Sequence, residues 1–245
     1  MATLPTFDAD NFPKDPNITN PNWTLTPETQ FVYEGYELEN GEYVLSEIIT
    51  VTVTEKGRKI DGVNTVAVTD VVVDAETGEL LESTTDFYAQ DNDGNIWYFG
   101  EKTREFEDGH PAGKEGAWIA GIHDASPGII MLADPGSFIN QTYSQEDAPG
   151  VAQDQGTVQS VTATTPTFAT LDYLHEGESA ALNIHETTLL DPAVSENKYY
   201  VDGVLAATVN NEDGSVELLV SVTPDFDDAE AAGHGHGKHG ELLFT

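Results

Sequence analysis

Apolar and polar residues alternate with a period of two along much of this chain. Ile49, Val51 and Val53 interleave with Thr50, Thr52 and Thr54, as in a strand with one buried face and one wet face. The same pattern predicts strands over 30–38, 43–54, 63–73 and 80–89, then over 157–163, 167–174, 180–189, 197–201, 204–209 and 216–222. Short segments carrying glycine separate them: Glu39-Asn40-Gly41, Lys56-Gly57-Arg58, Glu76-Thr77-Gly78, Asn92-Asp93-Gly94, Asp202-Gly203 and Asn211-Glu212-Asp213-Gly214. Glycine supplies the positive φ of tight hairpins. No window of about a dozen residues keeps an i, i+3, i+4 apolar stripe free of Gly, Pro and β-branched residues. The fold class is therefore all-β, an antiparallel meander forming a curved sheet or barrel with little helix.

The pattern breaks at both ends. Residues 1–22 carry Pro5, Pro13, Pro16 and Pro21 among Asp and Asn, which neither helix nor central strand tolerates, so an extended N-terminal arm is expected. Residues 23–224 read as a single β domain. Residues 225–245 turn acidic and Gly/His-rich and read as a C-terminal tail.

Charge changes the picture. Nine Lys+Arg stand against 44 Asp+Glu, a formal net charge of −35, which makes nucleic acid an unsuitable partner. Such a surface fits a halophilic or marine setting first, and a chain loaded with divalent cations as the sharper alternative. No basic residue occurs between Lys114 and Lys198, so the acids there are expected to face water, counterions or a metal. Cysteine is absent, which removes disulfides, thiolate sites and cysteine nucleophiles. No apolar run is long enough for a transmembrane segment. The start has neither a basic nor an apolar signal region, and we read it as a secreted or cell-surface protein whose signal peptide has been removed.

Three groups of residues carry candidate metal chemistry. His234, His236 and His239 lie on a Gly-flexible stretch and suit copper or zinc. Glu115, His123 and Glu146, in the loop-rich region 115–154, offer a mixed imidazole and carboxylate set. Asp91, Asp93 and Asn95 surround Gly94 with oxygens that suit calcium, although a plain hairpin turn is the commoner use of such residues. His175 and His185 read as surface or satisfied core residues. No nucleophile elbow surrounds Ser126, Ser137 or Ser144, and no phosphate-binding glycine loop precedes a helix. Trp97, Tyr98, Phe99 and Trp118 are expected to pack the core.

The phrases at 20–35 (NPNWTLTPETQFVYEG), 87–101 (FYAQDNDGNIWYFGE), 115–131 (EGAWIAGIHDASPGIIM) and 143–154 (YSQEDAPGVAQD), with Lys198-Tyr199-Tyr200 further on, occur in one order. In this the chain resembles an uncharacterised family of bacterial secreted proteins and lipoproteins. The resemblance implies an exported β-rich domain and supplies no catalytic residue. His123, Gln153 and the Gly/His tail depart from that family's pattern.

Together these features predict a secreted acidic β-domain that binds divalent metal ions in a structural or assembly role, without an organic cofactor, and with self-association through the N-terminal arm. A metal-dependent hydrolase or oxidase with its site in the 115–154 loops is the first alternative. A carbohydrate- or ligand-binding barrel, recognisable by an aromatic-lined cavity, is the second.

Overall fold

The structure, a computed structural model, describes residues 2–54 and 57–226. Among the described residues seventeen strands follow one another: β1 (Gln30–Glu39), β2 (Glu42–Val53), β3 (Lys59–Ile60), β4 (Val63–Asn64), β5 (Val66–Asp74), β6 (Leu80–Gln90), β7 (Ile96–Glu107), β8 (His110–Gly113), β9 (Trp118–Ile119), β10 (Ser126–Met131), β11 (Thr142–Ser144), β12 (Glu146–Asp147), β13 (Asp154–Thr164), β14 (Ser179–Thr188), β15 (Ser195–Val201), β16 (Val204–Asn210) and β17 (Val216–Thr223). Two 3-10 turns, Ala9–Asn11 and Pro135–Phe138, are the helical elements of the described residues. The all-β expectation holds, and most of the strands read from periodicity fall within two residues of the observed limits, while β3 and β7 to β12 had not been delimited.

All named pairings in the sheet are antiparallel, and β17 pairs with β1, so one continuous sheet runs from β13 round to β10. A single short segment closes it. Thr142, Tyr143 and Ser144 pair with Thr157, Gly156 and Gln155, while Glu146 and Asp147 pair with Pro127 and Ser126. Gln145, between the two pairings, donates its backbone N–H to Asp154, 2.8 Å away. The sheet is thereby a nearly closed barrel.

The barrel wall is covered from outside in two places. Phe7 and Phe12 of the N-terminal arm pack edge-on against Trp97 and Phe99, with ring centroids 5.7–6.4 Å apart. Ile18 and Leu25 are buried, and Asn20 ties the arm down by donating to Gly94 and Leu132. The predicted arm thus belongs to the core of its own chain. This explains why Ile96, Trp97, Tyr98, Phe99 and Gly100 are all buried without alternation: one face meets the interior and the other meets the arm.

The second cover corrects an expectation. Residues 167–174 form turns outside any named strand, with an isolated bridge between Phe168 and Leu171. Phe168, Leu171 and Tyr173 pack with Ala207, Val216 and Leu218, so their apolar character reflects burial against the barrel. Gly57 also departs from its predicted role. The left-handed positions there are Asp61 and Gly62, in a small hairpin of β3 and β4, whereas Gly57 is needed because a Cβ would lie 2.3 Å from the Thr65 carbonyl oxygen.

Candidate functional site: the barrel interior

On β6 and β7 the register shifts, so that Tyr88 faces Tyr98 while Asp86 faces Glu101. Two steps on β6 match three on β7. The extra residue is accommodated at Gly100, whose φ is +110°, and the β-bulge turns Glu101 back to the face that Tyr98 occupies. The Tyr98 hydroxyl consequently lies 2.6 Å from Asp86 Oδ1 and 3.0 Å from Glu101 Oε2. A phenol has one hydrogen to donate. Satisfying both carboxyls requires one of them to be protonated and to donate back. Burial supplies the reason, raising the Asp86 pKa to about 7 and pushing Glu101 upward.

The opposite wall carries the interior cation. Lys198 Nζ lies 2.7 Å from Glu186 Oε2 and 2.9 Å from Glu196 Oε1. Burial works against the ammonium, but Glu186 and Glu196 outweigh it and hold its pKa above the usual lysine range. Lys198 in turn holds Glu196 below the ordinary value. Gln145 Nε2 donates to Glu186 Oε1 at 2.6 Å, which links this group to the closing segment. Gln145 Oε1 and the Tyr143 hydroxyl, both buried, have no partner.

Between these walls lies a cavity of about 200 Å³. Trp23, Tyr33, Tyr88 and Tyr200 give it aromatic walls, while Asp70, Asp86 and Glu217 give it acids and Lys198 its one cation. Burial, reinforced by neighbouring acids, raises Asp70 to about 8 and Glu217 to about 7. Asp70 Oδ1 has no hydrogen-bond partner. At acidic pH this surface presents neutral carboxylic acids, which donate and accept. Above neutrality it becomes an anionic pocket whose cation is already engaged.

No protein-family profile matches the chain, and no curated protein matches it in sequence. Two solved structures are similar. One is a protein described as exported, with a YmcC-like fold, from Bacteroides fragilis, 12% identical, with a TM-score of 0.44 over 84% of this chain and 100% of that one. The other is a protein described as a lipoprotein from Parabacteroides distasonis, 11% identical, with a TM-score of 0.39 over 83% of this chain and 99% of that one. Among the described residues no helix is long and apolar enough to cross a membrane.

The residues singled out from sequence are dispersed. Glu115 and His123 are exposed, and His123 borders a surface groove of about 290 Å³ with Trp118, Ile122 and Val151. Glu146 accepts a long bond from the Trp118 indole, 3.5 Å, and burial raises its pKa to about 8. It belongs with the interior acids. These three do not meet as a ligand set. The group of described residues whose ligand atoms lie within 4.8 Å of one another is His175, Glu178 and Asp202, at the surface. His234, His236 and His239 lie outside the described residues.

At the 91–95 turn, both Asp91 oxygens are occupied. Oδ1 accepts from the backbone of Asp93 and Asn95, and Oδ2 from the Asn95 amide and the Trp97 indole, at 2.8–3.0 Å. Asn95 Oδ1 accepts from Ala133, and Asp93 Oδ2 from Asn11. These oxygens hold the hairpin to the core and to the arm, which is the turn role.

Sequence reasoning missed Asp70, Asp86, Glu101, Lys198 and Glu217. A signal existed: Asp70 is in phase with Val66 and Val68, Glu186 with Leu182 and Ile184, and Glu217 with Leu219. An acid in phase with core-facing apolar residues points inward.

Proposed function

We propose that this chain is an exported or cell-surface binding protein whose barrel holds a small organic ligand carrying a positive charge. The interior cavity carries the reading, because it joins aromatic faces to three acids and offers no free cation of its own. Aromatic faces attract ammonium groups, and desolvated carboxylates complement them. Size narrows the class: at about 30 Å³ per water, the cavity equals about seven waters, below the roughly 300 Å³ at which drug-sized pockets begin. Export is favoured by the resemblance of its sequence phrases to those of bacterial secreted proteins and lipoproteins.

The reading is tested by titrating the full chain with n-butylamine and with 1-butanol, followed by calorimetry and by tyrosine and tryptophan fluorescence. Saturable binding of the amine, weakened in Asp70→Asn, is expected. Equal binding of the alcohol, or no binding of the amine at tens of millimolar, would remove it.

Metal binding is the second reading, and it now rests on His175, Glu178 and Asp202. His175 Nδ1 already lies 3.2 Å from Glu178 Oε1. Zinc titration of the wild type and of His175→Ala, each with and without residues 227–245, separates this cluster from the His-rich tail. Equal zinc binding by the two truncated forms would exclude the cluster.

A further inference from the structure

The acid-lined cavity does not end at Glu217. A second cavity of about 160 Å³, with polar walls, lies against it, and Glu217 lines both. Its other acids include Glu37, Glu47 and Glu196. Strand register explains the junction: Glu217 stands opposite Thr208 on β16 and opposite Gly35 on β1, and Gly35 in turn stands opposite Glu47 on β2. Gly35 leaves room for Glu47 to lie across it, since a Cβ there would come 2.4 Å from Glu47 Cγ. Thr208, 4% exposed, lines this second cavity, and no group stands at ordinary hydrogen-bond geometry to its hydroxyl. Its nearest polar neighbour is Glu217, whose carboxyl it holds down only weakly, so the hydroxyl lacks a partner at full hydrogen-bond geometry. A buried hydroxyl without a partner points to a polar group that completes the site.

Building on the reading of the barrel as a cation-binding protein, we propose that its ligand is a linear aliphatic polyamine that spans both cavities. One ammonium sits among Asp70, Asp86 and the aromatic walls of the inner cavity. The next sits in the outer cavity, where Glu47, Glu196 and Glu217 receive it and the Thr208 hydroxyl accepts a hydrogen bond. The methylene chain between them passes the apolar strip of Ile49, Val51 and Leu205. A single small amine leaves one of the two acid groups unserved. A bare divalent ion fits poorly, because no three of these carboxylates bring oxygens within 4.8 Å of one another. A neutral sugar leaves the acids without a counter-charge.

The test is calorimetric titration of the full chain with spermidine, 1,4-diaminobutane, n-butylamine and magnesium chloride at one ionic strength. The two polyamines are expected to bind about tenfold or more tighter than n-butylamine, as one further charge-assisted contact implies. Glu47→Gln is expected to bring the polyamines to within about threefold of n-butylamine while leaving n-butylamine unchanged. Thr208→Val, which keeps shape and removes the hydroxyl, is expected to act in the same direction, and it serves if Glu47→Gln does not fold. Asp70→Asn is expected to weaken every amine. Equal affinity of n-butylamine and 1,4-diaminobutane overturns the polyamine proposal and leaves the barrel reading standing. So does magnesium binding as tight as that of the diamine. If no amine binds, both fall.

Discussion

Tyr98 and Glu101 stand three positions apart on β7 and nevertheless share one face, with the phenol oxygen 3.0 Å from Glu101 Oε2. Ordinary strand alternation would place them on opposite faces. The bulge at Gly100 makes the contact, and with it the meeting of Glu101 and Asp86 at one phenol oxygen.

Gly100→Ala is therefore expected to damage both fold and site. Its φ is +110°, and an added Cβ would lie 2.2 Å from the Trp118 carbonyl oxygen, a backbone atom that cannot step aside alone. A loss of about 2–4 kcal/mol in urea unfolding is expected, together with a red shift of tryptophan emission as the β9 strand detaches. Unchanged stability would show that the bulge is dispensable.

The interior acids give stability an unusual pH slope. Burial holds Asp70 and Glu146 at about 8 and Asp86 and Glu217 at about 7, whereas in the unfolded chain they titrate near pH 4. Between those values the native state binds protons that the unfolded state has released. The stability they contribute is fully present below about pH 4 and is lost as pH rises through 7 to 8. Asp74 and Asp213, held low by hydrogen bonds from Thr77 and Ser215, act in the opposite sense, but only near pH 4 and below. Repulsion within the −35 surface adds to the loss at high pH. The urea midpoint is expected to be higher at pH 5 than at pH 9, and Asp70→Asn is expected to narrow the difference. A midpoint at pH 9 equal to or above that at pH 5 would contradict this account.

Lys198 faces Glu186 and Glu196 from the barrel wall. Lys198→Met leaves both acids without their cation and is expected to cost about 3 kcal/mol, more at pH 9 than at pH 5. Adding Glu186→Gln to this variant is expected to recover part of the loss, since one uncompensated charge disappears. Denaturation of the single and double variants at both pH values checks the pair.

Removal of residues 1–12 is expected to uncover Trp97 and Phe99. The truncated chain should lose about 2–5 kcal/mol for the two deleted phenylalanines and their contacts, and its tryptophan emission should shift to the red. Light scattering then shows whether the uncovered face recruits a second chain. Emission and stability identical to those of the full chain would mean that the arm contributes nothing to the core.

Most of the fold was legible because hairpin physics is local. Gly41, Gly78, Gly94, Gly203 and Gly214 all adopt positive φ, and they delimit strands whose alternation had located them. What local pattern could not reveal was the second covering of each face. Phe168, Leu171 and Tyr173 looked like a strand because apolar residues pack equally well as a lid. The candidate site was legible in part. Glu146 was singled out and belongs to the interior, while Glu115 and His123 drew attention by residue type and lie at the surface. Asp70, Asp86 and Glu217 sat in strands read only for their apolar members. The bulge that aims Glu101 inward depends on register between β6 and β7, which no single strand encodes.

The segment that closes the barrel has a mechanical consequence. A closed sheet behaves as a hoop, and a hoop parts at its narrowest join. Here the narrowest join is the two residue pairs between β12 and β10, with three between β11 and β13, as few as β16 and β17 share, whereas β1 and β2 are held by ten. Gln145 is 1% exposed, yet it sits beside the join with the fewest residue pairs. Hydrogen exchange by local opening should therefore be fastest, among buried amides, over residues 142–147. The seam, more than the loops, sets how the interior meets solvent.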